Sequence, residues 1–557
     1  MVRNMELWRR PRLGVHACNA GPRWSSSFYS IALLARHSAA PSMDSPLITQ
    51  LFRQLFSHRA SQCLARGARP ALAATPAPQL QRRGKASRHG EGETTRESRW
   101  TPRRNAFPHE RTEEFERYPM VTADMLRSRR ERPRRVKMLL RDFIEDSLYN
   151  PSYGYFSKQV VIFSPGDPFN FNKMGSEHDF FQQLRHRYTA FEDALDDQEP
   201  NELRQLWHTP TELFSPYYGE AIARYLVEDY KYNFYPYHDL NIYEMGAGNG
   251  TMMLNILDFI RDVYPEVYDR TKFRIIEISS QLADLQQKGL GHSAYARGHS
   301  DKVEIVNKSI FDWDQYVSSP CYFLALEVFD NFAHDALKYD FETGAPYQSH
   351  VVIDPRGELF EHYSRNLDPV ASQFLKCRDA ACKSYRHPLQ GSRVMHNLKS
   401  LVPWSLNMSQ PEYIPTRLMQ FFYMLYDKFP NHKLISSDFH KLSDTVEGIN
   451  APVVQTRYKR QMIPVSTPLV HLQSLLISRS AMLTYYSQVH QGYFDILFPT
   501  DFEVMEPMYT AITGRFARTY LHEDFMAGRA DVVETSTKNG DNPLLSWYKN
   551  ASVMITM

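Results

Sequence analysis

The chain carries a glycine-rich segment, Ile242-Tyr243-Glu244-Met245-Gly246-Ala247-Gly248-Asn249-Gly250-Thr251. Its pattern predicts a strand that ends in a tight turn and continues directly into a helix. Glycine has no Cβ and tolerates a positive φ, so such a turn lets the backbone approach a ligand closely. The start of the following helix adds free N–H groups and the positive end of the helix dipole. The segment therefore predicts a ligand site at the end of a strand.

The spacing of these glycines separates two classes of nucleotide site. A dinucleotide fingerprint needs its third glycine at position 251, which holds threonine. The pattern Glu-x-Gly-x-Gly-x-Gly is instead the form found in S-adenosylmethionine (SAM) methyltransferases, where the turn lies against an amino acid moiety. Glu244, Gly246, Gly248 and Gly250 are therefore predicted to bind SAM.

The segment after the turn supplies the second half of a nucleotide-binding unit. Apolar residues at helical spacing predict a helix over 251–264, and a strand is predicted over 273–279. Glu277 ends the core of that strand, where a carboxylate can accept hydrogen bonds from both ribose hydroxyls. The alternative is that the glycines only cap a helix and Glu277 is a solvated strand end.

The first 90 residues have an unusual composition. They hold thirteen arginines and one lysine, but only two acids, and they are rich in alanine, serine and proline. This composition is typical of a mitochondrial transit peptide and predicts a mitochondrial location. A basic disordered arm that binds nucleic acid is the alternative; it is less favoured because the arginines are scattered, so no nucleic acid partner is expected.

Composition also excludes several classes of protein. No run of 18 or more apolar residues occurs in the 557-residue chain, so no membrane span is expected. The five cysteines form no CxxC pair or zinc-like set, and the histidines form no pair that indicates a metal site. No Gly-x-Ser-x-Gly motif or P-loop is present, which excludes the common hydrolase and NTPase classes.

Four parts of the sequence, taken together, carry a resemblance to a known family. They are Leu140–Pro151 with Gly154–Phe156; Gly166-Asp167 with Thr209–Glu212, Phe214–Pro216 and Tyr218–Glu220; Glu244–Gly250 with Glu277–Ser279, Leu282 and Gln286; and Glu327–Asp330. With these motifs the chain resembles the MidA family, also called the complex I assembly factor 7 family of mitochondrial protein arginine methyltransferases. The resemblance covers about 138–505, with gaps.

The resemblance implies both a fold and an activity. The implied fold is α/β, a Rossmann-like class I methyltransferase with a doubly wound sheet and helical N-terminal and C-terminal additions. Strands that alternate with helices along the chain point to the same sheet. The implied activity is SAM-dependent symmetric dimethylation of an arginine in a subunit of complex I (NADH dehydrogenase). The implied location is the mitochondrial matrix, and the implied role is support of complex I assembly or stability.

Three regions are predicted along the chain. Residues 1–117 are interpreted as targeting peptide and disordered linker. Residues 118–505 form the SAM-dependent methyltransferase domain, with an insertion at about 170–206 and a helical addition at about 365–431. Residues 506–557 are interpreted as a C-terminal extension.

The sequence departs from the family pattern at the acceptor side. The family has asparagine where this chain has Leu326, and Ala-Leu-Pro where it has Asn331-Phe332-Ala333. The insertion also splits the motif that ends at Glu220. These departures leave a second hypothesis, a catalytically weak or inactive SAM-binding assembly chaperone. RNA or a small molecule as acceptor is disfavoured, because the Asn-Pro-Pro-Tyr style motif is absent.

Two acids are the candidate catalytic residues. Glu327 and Asp330 follow the fourth strand, at the edge where ligands bind in such sheets. A carboxylate can accept two parallel N–H bonds from a guanidinium, so the pair is predicted to hold the acceptor arginine. The alternative is that Glu327 caps a turn and Asp330 is solvated.

Two further acids complete the predicted site. Asp312 follows the third strand region and is predicted to contact the adenine amine, with an ordinary loop position as the alternative. Glu212 belongs to the substrate-side motif and is predicted to line the substrate channel; a helix cap is equally consistent with its position.

Overall fold

The structure is a computed structural model that describes residues 111–158, 160–278, 291–390, 408–442, 450–464 and 490–557. The sequence pattern also predicts a helix at 279–289; that helix and residues 1–110 of the predicted targeting region lie outside these ranges. Among the described residues, no helix combines the length and the apolar character needed to cross a bilayer.

Helices and strands alternate through most of the described chain. The strands are β1 (Val136–Leu139), β2 (Val160–Ile162), β3 (Gln205–Trp207), β4 (Leu240–Met245), β5 (Thr271–Glu277), β6 (Val303–Asn307), β7 (Cys321–Leu326), β8 (Asp335–Tyr339), β9 (Pro346–Ile353), β10 (Leu359–Ser364), β11 (Glu412–Ile414), β12 (His432–Phe439), β13 (Val453–Tyr458), β14 (Gln461–Pro464), β15 (Asp495–Leu497), β16 (Ala517–Leu521) and β17 (Ala551–Thr556). The helices are α1 (Thr112–Glu116), α2 (Ala123–Leu126), α3 (Leu140–Tyr149), α4 (Tyr155–Lys158), α5 (Glu177–Gln198), α6 (Pro210–Leu213), α7 (Tyr217–Asn233), α8 (Thr251–Val263), α9 (Pro265–Tyr268), α10 (Gly291–Ala296), α11 (Pro369–Ala381), α12 (Thr416–Lys428), α13 (Phe502–Thr513), α14 (His522–Ala527) and α15 (Pro543–Ser546).

A seven-stranded sheet in the order β16-β17-β12-β7-β4-β5-β6 organises the molecule. β4, β5, β6, β7 and β12 pair in parallel, whereas β17 runs antiparallel to both β12 and β16. From β4 the chain adds strands outward on one side and then returns to β7 on the other side. The order therefore reverses between β4 and β7, and ligands bind at such a switch point, outside the carboxyl ends of the strands. This topology confirms the predicted Rossmann-like class I methyltransferase fold.

Both faces of this sheet are covered, as a mostly parallel sheet requires. Ile242 and Leu324 pack into one hydrophobic cluster with α5, α7 and α8, whereas their neighbours Tyr243 and Phe323 pack into a second cluster with α11, α12 and α13. Adjacent strand residues point to opposite faces, so a continuous apolar run buries both sides. The predicted insertion contributes α5 to the first cluster and is therefore part of the core.

Some predicted strands belong to other sheets. The sequence pattern also predicts strands at 349–353 and 357–361; these are β9 and β10, which form an antiparallel sheet with β1, β8 and β11. A further strand-like segment that the pattern predicts at 493–498 contains β15, which pairs with β13 in a three-stranded sheet. Short turns join β8 to β9 and β9 to β10, and a short turn forces antiparallel pairing. A third hydrophobic cluster joins α3, β9 and β15.

The C-terminal region differs from the sequence-based expectation. Residues 506–557 were expected to be an extension of the domain, but β16 and β17 within them are strands of the seven-stranded sheet. Every residue of β17 is buried, because the strand pairs on both sides and is covered on both faces. The sheet therefore continues well beyond residue 505.

Candidate active site

The glycine-rich turn lies between β4 and α8, at the switch point of the sheet. Gly246, Gly248 and Gly250 all have positive φ, at 72°, 53° and 76°. A Cβ on Gly248 would lie 2.7 Å from Cδ1 of Ile162, and a Cβ on Gly246 would lie 3.2 Å from Cγ2 of Val328. Both the backbone conformation and the lack of space require glycine here. The turn thus offers a bare backbone surface at the predicted SAM site.

Glu212 packs directly against this turn. Its Oε1 accepts hydrogen bonds from Oγ1 of Thr251 at 2.6 Å and from Nδ2 of Asn249 at 3.1 Å. Burial raises the pKa of the Glu212 carboxyl, although these donors act in the opposite direction. Its backbone N–H donates to Oγ1 of Thr209, which caps α6. The structure therefore brings Glu212 to the glycine turn, where it stabilises the turn, and shows it in the capped first turn of a helix.

Glu244 and Glu277 are buried at the ends of the neighbouring strands β4 and β5. Burial, and then the charge of Glu277, raises the pKa of Glu244 to about 8. Among the described residues, Oε2 of Glu244 has no hydrogen-bond partner. A buried carboxylate oxygen without a hydrogen bond is destabilising. A hydrogen-bond donor of a bound ligand would therefore stabilise this atom.

Asp312 lies apart from these buried acids, in a short 3₁₀ turn after β6. It is exposed, and its Oδ2 accepts a hydrogen bond from Nη1 of Arg127 at 2.7 Å. The neighbouring Trp313 is buried against Tyr243, whereas Phe311 is only partly buried, beneath the guanidinium of Arg417. Adenine contact by Asp312 stays a prediction.

Glu327 and Asp330 follow β7 on the other side of the switch point. Glu327 has a φ of 53°, which is uncommon for a residue with a Cβ and costs of order 1 kcal/mol. Its backbone N–H donates to the carbonyl of Ser437 at 2.8 Å. Asp330 lies in a 3₁₀ turn and is 4% exposed, and its Oδ1 has no hydrogen-bond partner in the described part of the chain. Asp330 is thus buried rather than solvated.

Asp438, at the end of β12, holds this 3₁₀ turn in place. Its Oδ2 accepts the backbone N–H of Phe329 at 2.8 Å and that of Asp330 at 3.2 Å. Its Oδ1 accepts the N–H of Phe439 at 2.7 Å. Burial raises the pKa of Asp438 to about 7, although the backbone donors oppose the shift. Asp438 therefore has a structural role that fixes the position of Asp330.

Sequence reasoning did not select three residues that also reach this region. Nδ2 of Asn331 donates to Oδ1 of Asp495 at 2.9 Å, and the hydroxyl of Tyr149 donates to the carbonyl of Asn331 at 3.3 Å. Burial raises the pKa of Asp495 to about 7. Asp495 lies in the segment Gly492–Ile496, which is only loosely similar to a C-terminal motif of the family, and Asn331 entered the sequence analysis only as a departure from the family pattern.

The acceptor side of the switch point is strongly acidic. Burial and the charge of Asp438 raise the pKa of Glu327 well above its usual range. Burial, followed by Asp438, Asp495 and Glu327, does the same for Asp330. Among the ion pairs of the described residues, none joins a lysine or arginine to Glu327, Asp330, Asp438 or Asp495. No group of three or more His, Cys, Asp or Glu within those residues is arranged to hold a metal ion.

Two curated relatives match the sequence of this chain over more than half of its length. A mitochondrial protein arginine methyltransferase NDUFAF7 homolog of Schizosaccharomyces pombe is 29% identical over 326 residues, which cover 57% of this chain and 67% of that protein. The protein of the same name in Saccharomyces cerevisiae is 21% identical over 367 residues, 61% of this chain and 78% of that protein. Among solved structures, a Burkholderia thailandensis protein described as a "likely methyl transferase", bound to S-adenosyl-homocysteine, covers 76% of this chain and 88% of its own, with 13% identity and a TM-score of 0.46.

A family model described as "Putative S-adenosyl-L-methionine-dependent methyltransferase" matches residues 221–521, more than half of the chain. The match spans the glycine turn, both acid pairs and β15. It confirms the resemblance seen in the motifs, and it identifies SAM as the cofactor. The chain therefore belongs to this family of SAM-dependent methyltransferases.

Proposed function

We propose that the protein transfers methyl groups from SAM to an arginine of a complex I (NADH dehydrogenase) subunit in the mitochondrial matrix, and so supports the assembly or stability of that complex. The names of the two relatives support arginine as the acceptor and the mitochondrion as the location. The observation that carries the proposal is the buried, unpartnered Oδ1 of Asp330 within a group of acids that lacks a cation.

Six residues form the cofactor side of the proposed site. Gly246, Gly248 and Gly250 admit the ligand to the backbone of the turn, and Glu244 and Glu277 accept hydrogen bonds from its hydroxyl or amino groups. Asp312 would reach the adenine amine. Oε2 of Glu244, which has no hydrogen-bond partner among the described residues, would accept a hydrogen bond from such a group. When bound, SAM supplies the methyl group.

Glu327 and Asp330 form the acceptor side. A guanidinium is planar, carries five N–H donors and stays protonated near neutral pH, so it is a poor nucleophile until it loses a proton. Buried carboxylates without a counter-ion attract such a cation and can hold it in one orientation. Because burial and neighbouring charges raise the pKa of both acids, either one is a competent acceptor for the proton that the nitrogen gives up.

Two finer parts of the proposal follow from the family resemblance. Symmetric dimethylation is the product that the resemblance implies, and residues 1–117 would direct the chain to mitochondria. We also extend the proposed methyltransferase domain from 118–505 to 118–557, because β16 and β17 pair within its sheet.

The proposal is tested by transfer of label to mitochondrial proteins. The full chain, or its Gly248→Val variant, is incubated with methyl-labelled SAM and an extract of mitochondria from cells that lack the protein. We expect one labelled band at the size of a complex I subunit, absent with the variant. Absence of label from a chain that binds SAM would instead favour the assembly chaperone, the hypothesis that the departure at Leu326 leaves open.

A further inference from the structure

One strand from outside the seven-stranded sheet is attached to the turn that carries Asp330. Nδ2 of Asn331 donates to Oδ1 of Asp495 at 2.9 Å and to the carbonyl of Ile496 at 3.1 Å. The N–H of Phe498 donates to the carbonyl of Asp330 at 2.7 Å. These three bonds fix β15 to the end of β7. They bring a further carboxylate, that of Asp495, into the acidic region.

In the described chain, no cation pairs with the buried carboxylate of Asp495 to offset the cost of its burial. Asp495 is 3% exposed and, like Asp330, has no lysine, arginine or histidine paired with it in the described chain. The charge of Asp495 adds to the rise in the pKa of Asp330, after burial and Asp438. Buried charges of one sign are destabilising unless a partner of opposite sign joins them. A cation from a ligand would supply that partner for both.

Tyr149 of α3 reaches the turn that carries Asp330, where its hydroxyl donates to the carbonyl of Asn331 at 3.3 Å. Its ring stacks on Phe156, with centroids 5.5 Å apart. After burial, four carboxylates raise its pKa, in the order Glu145, Asp330, Asp495 and Glu277. The hydroxyl therefore lies near acids of the proposed acceptor side and also near Glu277 of the proposed cofactor side.

We propose that Asp495 is an acceptor-binding residue, which together with Asp330 accepts N–H bonds from the arginine guanidinium, with Asn331 setting its orientation and Tyr149 forming the wall toward the cofactor. This inference rests on the proposed function and specifies its acceptor. A planar guanidinium offers N–H groups along two edges and can engage two carboxylates, whereas a lysine ammonium is a point charge. The arrangement therefore selects arginine over lysine.

The test measures ligand binding without turnover. Acetyl-arginine amide and acetyl-lysine amide are titrated into the full chain saturated with S-adenosylhomocysteine, for wild type and Asp495→Asn. The control is Asp146→Asn, since Asp146 is equally buried and also accepts an asparagine amide, from Asn150 at 2.9 Å. We expect Asp495→Asn to weaken binding of the arginine amide by roughly tenfold or more, the loss typical of one charged hydrogen bond. The control and the affinity for S-adenosylhomocysteine should not change.

Each other outcome overturns the inference in a distinct way. If Asp495→Asn binds the arginine amide as wild type does, the inference fails while the proposed function stands. If the variant also loses S-adenosylhomocysteine affinity and thermal stability, Asp495 only attaches β15 to the turn. If the wild type binds neither amide, or binds both equally, the arginine acceptor of the proposed function fails and the inference fails with it.

Discussion

At the scale of single residues, the proposed site depends on glycines at positions without room for a side chain, and on buried acids with one unpaired carboxylate oxygen. Both features are unfavourable for the stability of the empty protein. Positive φ and short contacts restrict positions 246 and 248, and burial raises the pKa of Glu244 and Asp330. Substitutions that relieve such features are expected to stabilise the fold and impair the function.

Gly248→Val should abolish SAM binding. The new side chain would begin 2.7 Å from Ile162 and fill the space above the turn. We expect the affinity for SAM, measured by calorimetry, to fall by at least about 100-fold. Gly514→Val is the control, because Gly514 has a similar φ of 70° but open space around it. Equal SAM affinity in the two variants would remove the turn from the cofactor site.

Glu244→Gln should make stability less dependent on pH. Burial lifts the pKa of this carboxyl from 4.5 to about 8 in the folded state, so the folded chain binds more protons than the unfolded chain between these values. The wild-type free energy of unfolding therefore falls as the pH rises through this window. The variant has no carboxyl at this position, so its free energy of unfolding does not fall for this reason. The difference in melting temperature between variant and wild type should therefore grow in favour of the variant from about pH 5 to about pH 8.

The same Glu244→Gln variant should bind SAM less tightly. Parallel melting curves for variant and wild type across that pH range would show that the carboxyl of Glu244 is not perturbed by burial. An unchanged affinity for SAM would show that it does not contact the cofactor.

Glu327→Gln should separate binding from catalysis. The amide keeps the size of the side chain but loses the charge and the ability to take a proton, so kcat should fall about 100-fold or more while the affinity for SAM is retained. Glu361→Gln serves as control, since Glu361 is a partly buried acid on β10, away from the switch point. Full turnover by Glu327→Gln would exclude Glu327 from the mechanism.

At the scale of elements, local pattern and long-range pairing determine what a sequence can reveal. The sequence pattern predicts β4, β6, β7 and β12, because each is a short segment with several apolar residues, bounded by turn signals. β17, Ala-Ser-Val-Met-Ile-Thr, reads as an ordinary C-terminal tail, and its burial depends on pairing with β12, more than a hundred positions away in the chain. Asp495 was missed for the same reason, because only the attachment of β15 to the turn at Asn331 brings it to the site.

Met554→Ala in β17 should reduce the stability of the whole domain. Met554 is 0% exposed and packs in the second hydrophobic cluster, so its truncation should lower the free energy of unfolding by about 2–5 kcal/mol. Met557, three residues later, is 62% exposed, and Met557→Ala should change it by no more than about 0.5 kcal/mol. Denaturant titration measures both, and equal midpoints would contradict a structural role for β17.

At the scale of the whole molecule, two parts of the chain supply the two halves of the proposed site. The seven-stranded sheet carries the proposed cofactor residues at the ends of β4 and β5. Elements outside it, α3 and β15, bring Tyr149 and Asp495 to the acids that follow β7. The glycine motif therefore predicts the cofactor side from the sequence. The positions of Tyr149 and Asp495 beside the acids after β7 depend on the folded chain and could not be predicted in this way.

The N-terminal region should act as a mitochondrial targeting signal that is independent of the methyltransferase domain. Fused to a fluorescent reporter, residues 1–117 should direct it to mitochondria, because arginine-rich, acid-poor segments of this kind are recognised for import. The chain reduced to residues 118–557 should remain outside the organelle. A reporter that stays in the cytosol, or enters the nucleus, would favour the basic nucleic-acid-binding arm instead.

The proposed function is tested most directly by the identity of the amino acid that receives the methyl group. Labelled acceptor protein from the extract assay would be hydrolysed and its labelled amino acids separated. We expect label on methylated arginine, formed by wild type and lost in both Gly248→Val and Glu327→Gln. Label on another amino acid, formed equally by wild type and Glu327→Gln, would contradict it.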